Sequence, residues 1–326
     1  MISQTTTWQV DVKHSLWRHV LVAALPLSGC FLDDSTPKPG ETIPTSVLRV
    51  RTALHRNLVE NSVAVTSVSQ PGIIFGWNDS GHEPRIFAFD SSGRNRGAWS
   101  VVGARNRDWE AAALGPCRQA STWCLYIGDV GDNEARRSQV TIYRVPEPVV
   151  PDSATTTAPL QVDGALNIRY ADHPHDVEAM YVGVDGSMFF ITKRRLLDSQ
   201  RRARQALIFK VPRSYWDSSG TVVANLVDSL PFVPGERQGG LVSDASLSPD
   251  GKLLAVRTYD DVYLFEVDSV TQLPKRDQRP LPCAIRGLKE EQGEGIAWWW
   301  DGRRLLLTSE RRNSPMFVID CPRPLR

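Results

Sequence analysis

Two stretches of this chain, Glu178–Lys193 and Glu294–Ser309, align without a gap. Each has an acidic residue, an apolar strand, an Asp-Gly turn at the same spacing and a second apolar strand. Asp-Gly between apolar runs is a hairpin signal, because glycine accepts the positive φ that a tight turn demands. A third copy, Ser243–Arg257, carries the turn Ser248–Gly251. A fourth begins at Asp108–Glu110 and reaches its second strand at Leu125–Asp129 after a lengthened turn. A weaker first copy starts at Ser62 and continues through Ile73–Trp77. Third strands are expected at Arg85–Asp90, Val140–Arg144, Ala206–Lys210, Asp261–Phe265 and Pro315–Asp320. Fourth strands are expected at Trp99–Val102, Leu166–Tyr170, Asn225–Phe232 and Leu281–Ile285.

Serial four-stranded units of this kind describe the blades of a β-propeller. The expected fold is all-β, a propeller of five four-stranded blades. It becomes six if the long intervals Asp108–Asp176 and Asp176–Asp244 hide an irregular one. The last unit has no fourth strand of its own, so Val47–Arg51 is expected to supply it and close the ring. Composition agrees: 23 glycines, 22 prolines and 10 tryptophans suit a turn-rich β protein. A formal net charge of +1 provides no overall field for a polyanion, so nucleic acid is not an expected partner.

The chain opens with Lys13, His14 and Arg18 ahead of a short apolar run, Val20–Leu27, followed by Ser28, Gly29 and Cys30. The run is too short for the ~20 residues of a membrane span. A basic segment, an apolar segment and small residues describe an export signal. Leu27–Cys30 resembles the bacterial lipobox, which implies a lipid on Cys30 and removal of residues 1–29. Phe31, not aspartate, follows the cysteine. By resemblance to the sorting rule of Gram-negative lipoproteins, this implies the outer membrane. The expected organisation is a signal peptide over 1–29, a flexible tether over 30–45, and a propeller over 46–326. A monomer held to the membrane by its N-terminal lipid is expected.

Four cysteines remain, Cys117, Cys124, Cys283 and Cys321. An even count in an exported chain points to disulfides. Cys117 and Cys124 are placed to staple a hairpin turn, and Cys283 and Cys321 would then link the last two blades. A metal site is the rival, but no CxxC spacing or nearby histidine supports it.

The segments Trp77–Gly81, Gly128–Asn133, Asp176–Glu178, Arg257–Tyr259 and Glu294–Ile296 resemble a group of exported bacterial propellers, often lipoproteins. That group is similar to NHL-repeat, SdiA-regulated-like and phytase-esterase-like propellers. The resemblance covers most of the chain after the signal and implies a fold more than an activity.

In a propeller, the residues just before each inner strand ring one mouth of the central channel, and the loop after the second strand returns there. The ring is expected to hold Asp108, Glu110, Asp176, Glu178, Asp244 and Glu294, joined by Asn78, Asp79, Asp129, Asp132, Lys193, Arg257 and Glu310. Such oxygen donors suit Ca²⁺, which takes six to eight of them. With Lys193 and Arg257 they suit a polar ligand, and crowded carboxylates suit acid–base hydrolysis. The plainer alternative is that these acids fasten loops by accepting backbone hydrogen bonds. His82 is a candidate for channel chemistry. His173 and His175, beside Asp176, read as a solvated loop with a two-imidazole metal site as the alternative, and the basic run Lys193–Arg204 as a solvated hairpin tip with contact to anionic lipid headgroups or polysaccharide as the alternative. No GxSxG, HExxH, Walker or dinucleotide motif is present. The leading expectation is a cell-envelope lipoprotein that binds a polar ligand or an envelope protein at the acidic mouth. The alternative is a metal-dependent hydrolase of phosphate esters or glycosides.

Overall fold

Among the residues described by this computed structural model, the chain forms twenty-one strands and no α-helix. The description covers residues 38, 40–119, 122–152, 158–193, 205–231, 240–277 and 280–323. The export signal, Cys30, most of the tether and residues 194–204 of the basic run lie outside it.

After β1 (Ser46–Val50), the first unit is β2 (Val65–Thr66), β3 (Ile73–Gly76), β4 (Arg85–Asp90) and β5 (Asn95–Val102). The second is β6 (Trp109–Pro116), β7 (Trp123–Asp129), β8 (Val140–Pro146) and, beyond the short β9 (Leu160–Gln161), β10 (Gly164–Tyr170). The third is β11 (Val177–Val182), β12 (Met188–Thr192), β13 (Leu207–Val211) and β14 (Val222–Ser229). The fourth is β15 (Val242–Leu247), β16 (Leu253–Thr258), β17 (Asp261–Glu266) and β18 (Cys283–Ala284). The last is β19 (Gly293–Trp298), β20 (Leu305–Ser309) and β21 (Met316–Asp320). Its fourth strand is β1, antiparallel to β21 with Leu48 opposite Val318, as the closing-strand expectation required. Outer strands also pair in parallel, β10 with β14 and β5 with β9.

The second strands read as unbroken apolar runs because each blade is covered on both faces. Side chains alternate along a strand, so neighbouring residues enter different cores. Ile73 and Phe75 pack toward the second blade, while Ile74 joins the cluster with the last. Leu306 faces the first blade, and Leu305 and Leu307 face the fourth. Apolar clusters thus lie between each consecutive pair of blades, and the cluster of Phe87, Phe89, Leu306 and Val318 joins the last blade to the first. This is a closed β-propeller ring, and burial of these interblade faces is its main source of stability.

The Asp-Gly turns behave as their chemistry predicts. Gly186, Gly251 and Gly302 have φ of 80°, 70° and 64°. In each turn the aspartate accepts from the backbone N–H two residues on: Ser187 to Asp185, Lys252 to Asp250 and Arg303 to Asp301. Both disulfides form, Cys117–Cys124 and Cys283–Cys321, the second tying β18 to the end of β21.

Just before β1 the chain is hydrogen-bonded to the propeller: Thr42 N donates to Pro282 O (2.8 Å), Thr45 N to Asp320 O (2.7 Å), and Glu41 pairs with Arg286. No helix among the described residues is long and apolar enough to cross a membrane.

Candidate functional site

Four of the inner strands break register with their neighbour at one place. The pairing skips Glu110 in β6, Glu178 in β11, Ser243 in β15, and Glu294 with Gly295 in β19. A bulge leaves its extra residue out of the ladder and re-aims its side chain. Three glutamates are carried this way, and they feel one another across the channel: burial, then the charges of Glu178, Asp108 and Glu294, push the Glu110 carboxyl well above its usual range.

The loops after the second strands return to the same end through a repeated backbone bond. Asp79 N donates to Glu60 O (3.1 Å), Gly131 N to Asp108 O (3.2 Å), Lys193 N to Asp176 O (3.0 Å) and Glu310 N to Gln292 O (2.9 Å). Glu60, Asp108, Asp176 and Gln292 are therefore equivalent positions.

Lys193 Nζ lies 2.7 Å from Glu178 Oε1. Burial opposes the ammonium charge, but Glu178 overrides it and raises the lysine pKa. Glu294 is buried, which raises its pKa. Its Oε1 accepts from Gln292 Nε2 (2.7 Å) and Tyr259 OH (3.2 Å), while Oε2 is buried with no hydrogen-bond partner. Gln292 Nε2 also reaches Glu310 Oε1 at 2.8 Å. Asp79 and Glu310, both half-buried, are pushed up to about 7, first by burial and then by neighbouring acids. Those neighbours are Glu60, Glu310 and Asp108 around Asp79, and Glu294 and Glu60 around Glu310. His82 Nε2 is 2.6 Å from Glu60 Oε2, and donor atoms of Glu60, Asp79 and His82 lie within 4.8 Å of one another.

The structure thus brings Asp79, Asp108, Glu110, Glu178, Lys193, Glu294 and Glu310 into one electrostatic cluster. Other residues expected in the ring are held inside the loops. Asn78 Oδ1 accepts from Val59 N and Glu60 N, both at 2.9 Å. Asp129 accepts from Asp108 N (2.9 Å) and Arg137 (3.0 Å), and Asp132 accepts from Arg137 N (2.6 Å). Asp176 accepts from Asp132 N at 2.9 Å. Arg257 is fully buried: it donates to Gly295 O (2.8 Å) and Thr308 O (3.0 Å) and pairs with Glu290 at 2.5 Å.

Asp244 requires a correction. In the fourth blade the bulge position belongs to Ser243, one residue earlier, so Asp244 is not the counterpart of Asp176. Its carboxylate is buried and accepts from Ala245 N (2.7 Å) and Ile296 N (2.8 Å), fastening the fourth blade to the last.

Glu60, Tyr259, Gln292 and Glu290 belong to the cluster or its support and were not expected there. Glu60 was discoverable as the acid preceding the first copy, and Gln292 by its place two residues before Glu294. His173 and His175 gather with Asp172, His175 buried and 2.9 Å from it.

No protein-family model matches this chain, and no curated protein does. The solved structures it is similar to are β-propellers. Glutaminyl cyclase from Myxococcus xanthus is 11% identical, with 85% of this chain and 97% of that one covered and a TM-score of 0.46. The holo PQQ domain of pyranose dehydrogenase from Coprinopsis cinerea is 11% identical, with 87% and 98% covered and a TM-score of 0.45. Virginiamycin B lyase from Staphylococcus aureus is 10% identical, with 80% of this chain and 66% of that one covered and a TM-score of 0.39. These likenesses concern the fold alone.

Proposed function

We propose that this protein is a lipid-anchored cell-envelope lipoprotein that binds a cation at the acidic mouth of its channel, with Ca²⁺ as the leading candidate, and presents it to a polar ligand. The observation that carries this reading is the unbalanced cluster of carboxyl groups. Glu110, Glu294, Asp79, Asp108 and Glu310 share the mouth, while Lys193 is already paired with Glu178. Glu294 Oε2 and Asp79 Oδ1 are buried without hydrogen-bond partners, and hard carboxylate oxygens suit Ca²⁺. Carboxylates of the mouth would supply the oxygen ligands, and the ion would supply positive charge for an anionic or hydroxyl-bearing ligand. Glu178 and Lys193 would fix the far wall.

The test is thermal melting with Ca²⁺ and with EDTA. Ca²⁺ should raise the melting temperature of the wild type, and Glu110→Gln with Glu294→Gln should abolish the rise. A wild type indifferent to both Ca²⁺ and EDTA would remove the cation from this reading. The anchor is tested separately: Cys30→Ser should release the protein from membranes, and unchanged membrane association with normal cleavage would argue against lipidation.

A metal-dependent hydrolase is the second reading, favoured by the Glu60, Asp79 and His82 cluster. An imidazole beside two carboxylates suits a transition metal better than Ca²⁺. Metal-dependent turnover of phosphate esters or glycosides, lost in His82→Ala, would select it.

A further inference from the structure

The opposite end of the channel has the contrary chemistry. Two residues beyond Glu110, Glu178 and Ser243, the inner strands place Ala112, Met180 and Ala245, with Ala64 and Ala297 from the other two blades. The four alanines leave the centre open, and with Met180 and the strand ends below they line a cavity of about 440 Å³. That volume falls within the range of small-molecule sites, which are mostly apolar with a few placed polar groups. The mouth is rimmed by apolar side chains left in solvent: Val68 is 45% exposed, Trp123 41% and Val184 69%.

The polar groups of the wall are mostly satisfied. Thr66 Oγ1 donates to Trp298 O (2.9 Å), Trp298 Nε1 to Ser246 O (2.9 Å), and Ser248 Oγ to Asp250 (2.6 Å). Arg213 is the exception. It opens the 3₁₀ turn Arg213–Asp217 after β13, its stem lies over Gly186, and it contributes to the cavity wall. Among the described residues its guanidinium has no carboxylate within ion-pair distance and makes no side-chain hydrogen bond. An apolar cavity with one uncommitted guanidinium is complementary to a single kind of small molecule.

We propose that this second mouth binds a small anionic amphiphile, an aliphatic or ring-bearing carboxylate whose apolar body fills the channel and whose head group is taken by Arg213. Guanidinium and carboxylate match as a two-bond fork, and both bonds are charge-assisted. The apolar body gains by leaving water for the alanine-lined channel. The site shares no residue with the acidic mouth, so the two stand or fall independently.

Titration calorimetry of the full chain with octanoate, 1-octanol and octylamine, all below micellar concentrations, tests the assignment. Octanoate should bind one per chain, roughly tenfold more tightly than octanol, since a charge-assisted bond distinguishes them. Octylamine should be the weakest. Arg213→Gln should erase the preference for octanoate while leaving octanol binding and the melting temperature unchanged. Ala113→Trp, at the partly exposed part of the wall, should block both ligands. Should that variant fail to fold, Arg213→Gln decides alone. Equal binding of octanoate and octanol, wild-type octanoate affinity in Arg213→Gln, or no binding at all overturns the proposal. So does sedimentation with phosphatidylglycerol vesicles without octanoate binding, which would mark a lipid-surface contact instead of a small-molecule site.

Discussion

Lys193 Nζ stands 2.7 Å from Glu178 Oε1, and the two side chains are 13% and 2% exposed. Neither charge has enough water to stand alone. Breaking a buried pair by removing one partner typically costs about 3–5 kcal/mol, because the other charge stays buried and uncompensated. Lys193→Met is therefore expected to lose about that much in urea unfolding. The double variant Lys193→Met with Glu178→Gln should recover more than half of the loss. If the two substitutions simply add, the pair is not the coupled unit described here.

The mouth should make the cation-free protein less stable as pH rises. Asp79 and Glu310 have folded-state pKa values raised to about 7, above the ordinary 3.8 and 4.5. The folded state therefore holds their protons more tightly than the unfolded chain does, and their contribution declines between about pH 4 and pH 7. Asp79→Asn with Glu310→Gln should flatten that decline. The check is the denaturation midpoint at several pH values in EDTA. A wild-type midpoint that rises through this window in parallel with the double variant would contradict it.

The two disulfides should contribute unequally. Cys283–Cys321 closes a separation of 38 residues and Cys117–Cys124 one of 7, and a longer loop loses more freedom in the unfolded chain. Replacing both members of the longer pair by serine should cost about 2–4 kcal/mol, and replacing the shorter pair should cost less. Equilibrium unfolding of the two serine variants ranks them.

Gly295 has no room for a side chain. An added Cβ would meet Thr308 Oγ1 together with the Val63 and Ala64 backbone, where the last blade packs on the first. Gly295→Ala should lower stability by about 1–3 kcal/mol, the usual range for overpacking. The loss should appear as faster unfolding or a lower melting temperature. Wild-type melting would mean that the blade seam yields more easily than its packing indicates.

Much of the fold was legible because its signals are local. The Asp-Gly turns at Asp185, Asp250 and Asp301 need only a glycine that accepts positive φ and an aspartate that accepts the following N–H. Unbroken runs such as Leu305–Leu307 announce strands covered on both faces, and the missing fourth strand of the last unit pointed to β1. The site was legible as a set of acids, but not as a division of labour. Asp129 and Asp132 fasten a loop, and whether an acid does that or faces the opening depends on the register across the hairpin. In the fourth blade Ser243 takes the bulge position, seven residues before Asp250 as Glu178 is before Asp185, so the turn spacing already sets Asp244 one residue past the ring position.

Backbone preference and alternation were enough to place most strands, their turns and the closing segment, whereas four cysteines allow three pairings and the fold selects one of them. Which carboxylates meet, the commitment of Lys193 to Glu178, and the apolar cavity with Arg213 at its wall all follow from the closed ring. Those features are made by residues far apart in the chain, brought together when the interblade cores close the ring. Their electrostatics are set by how much water that closure removes.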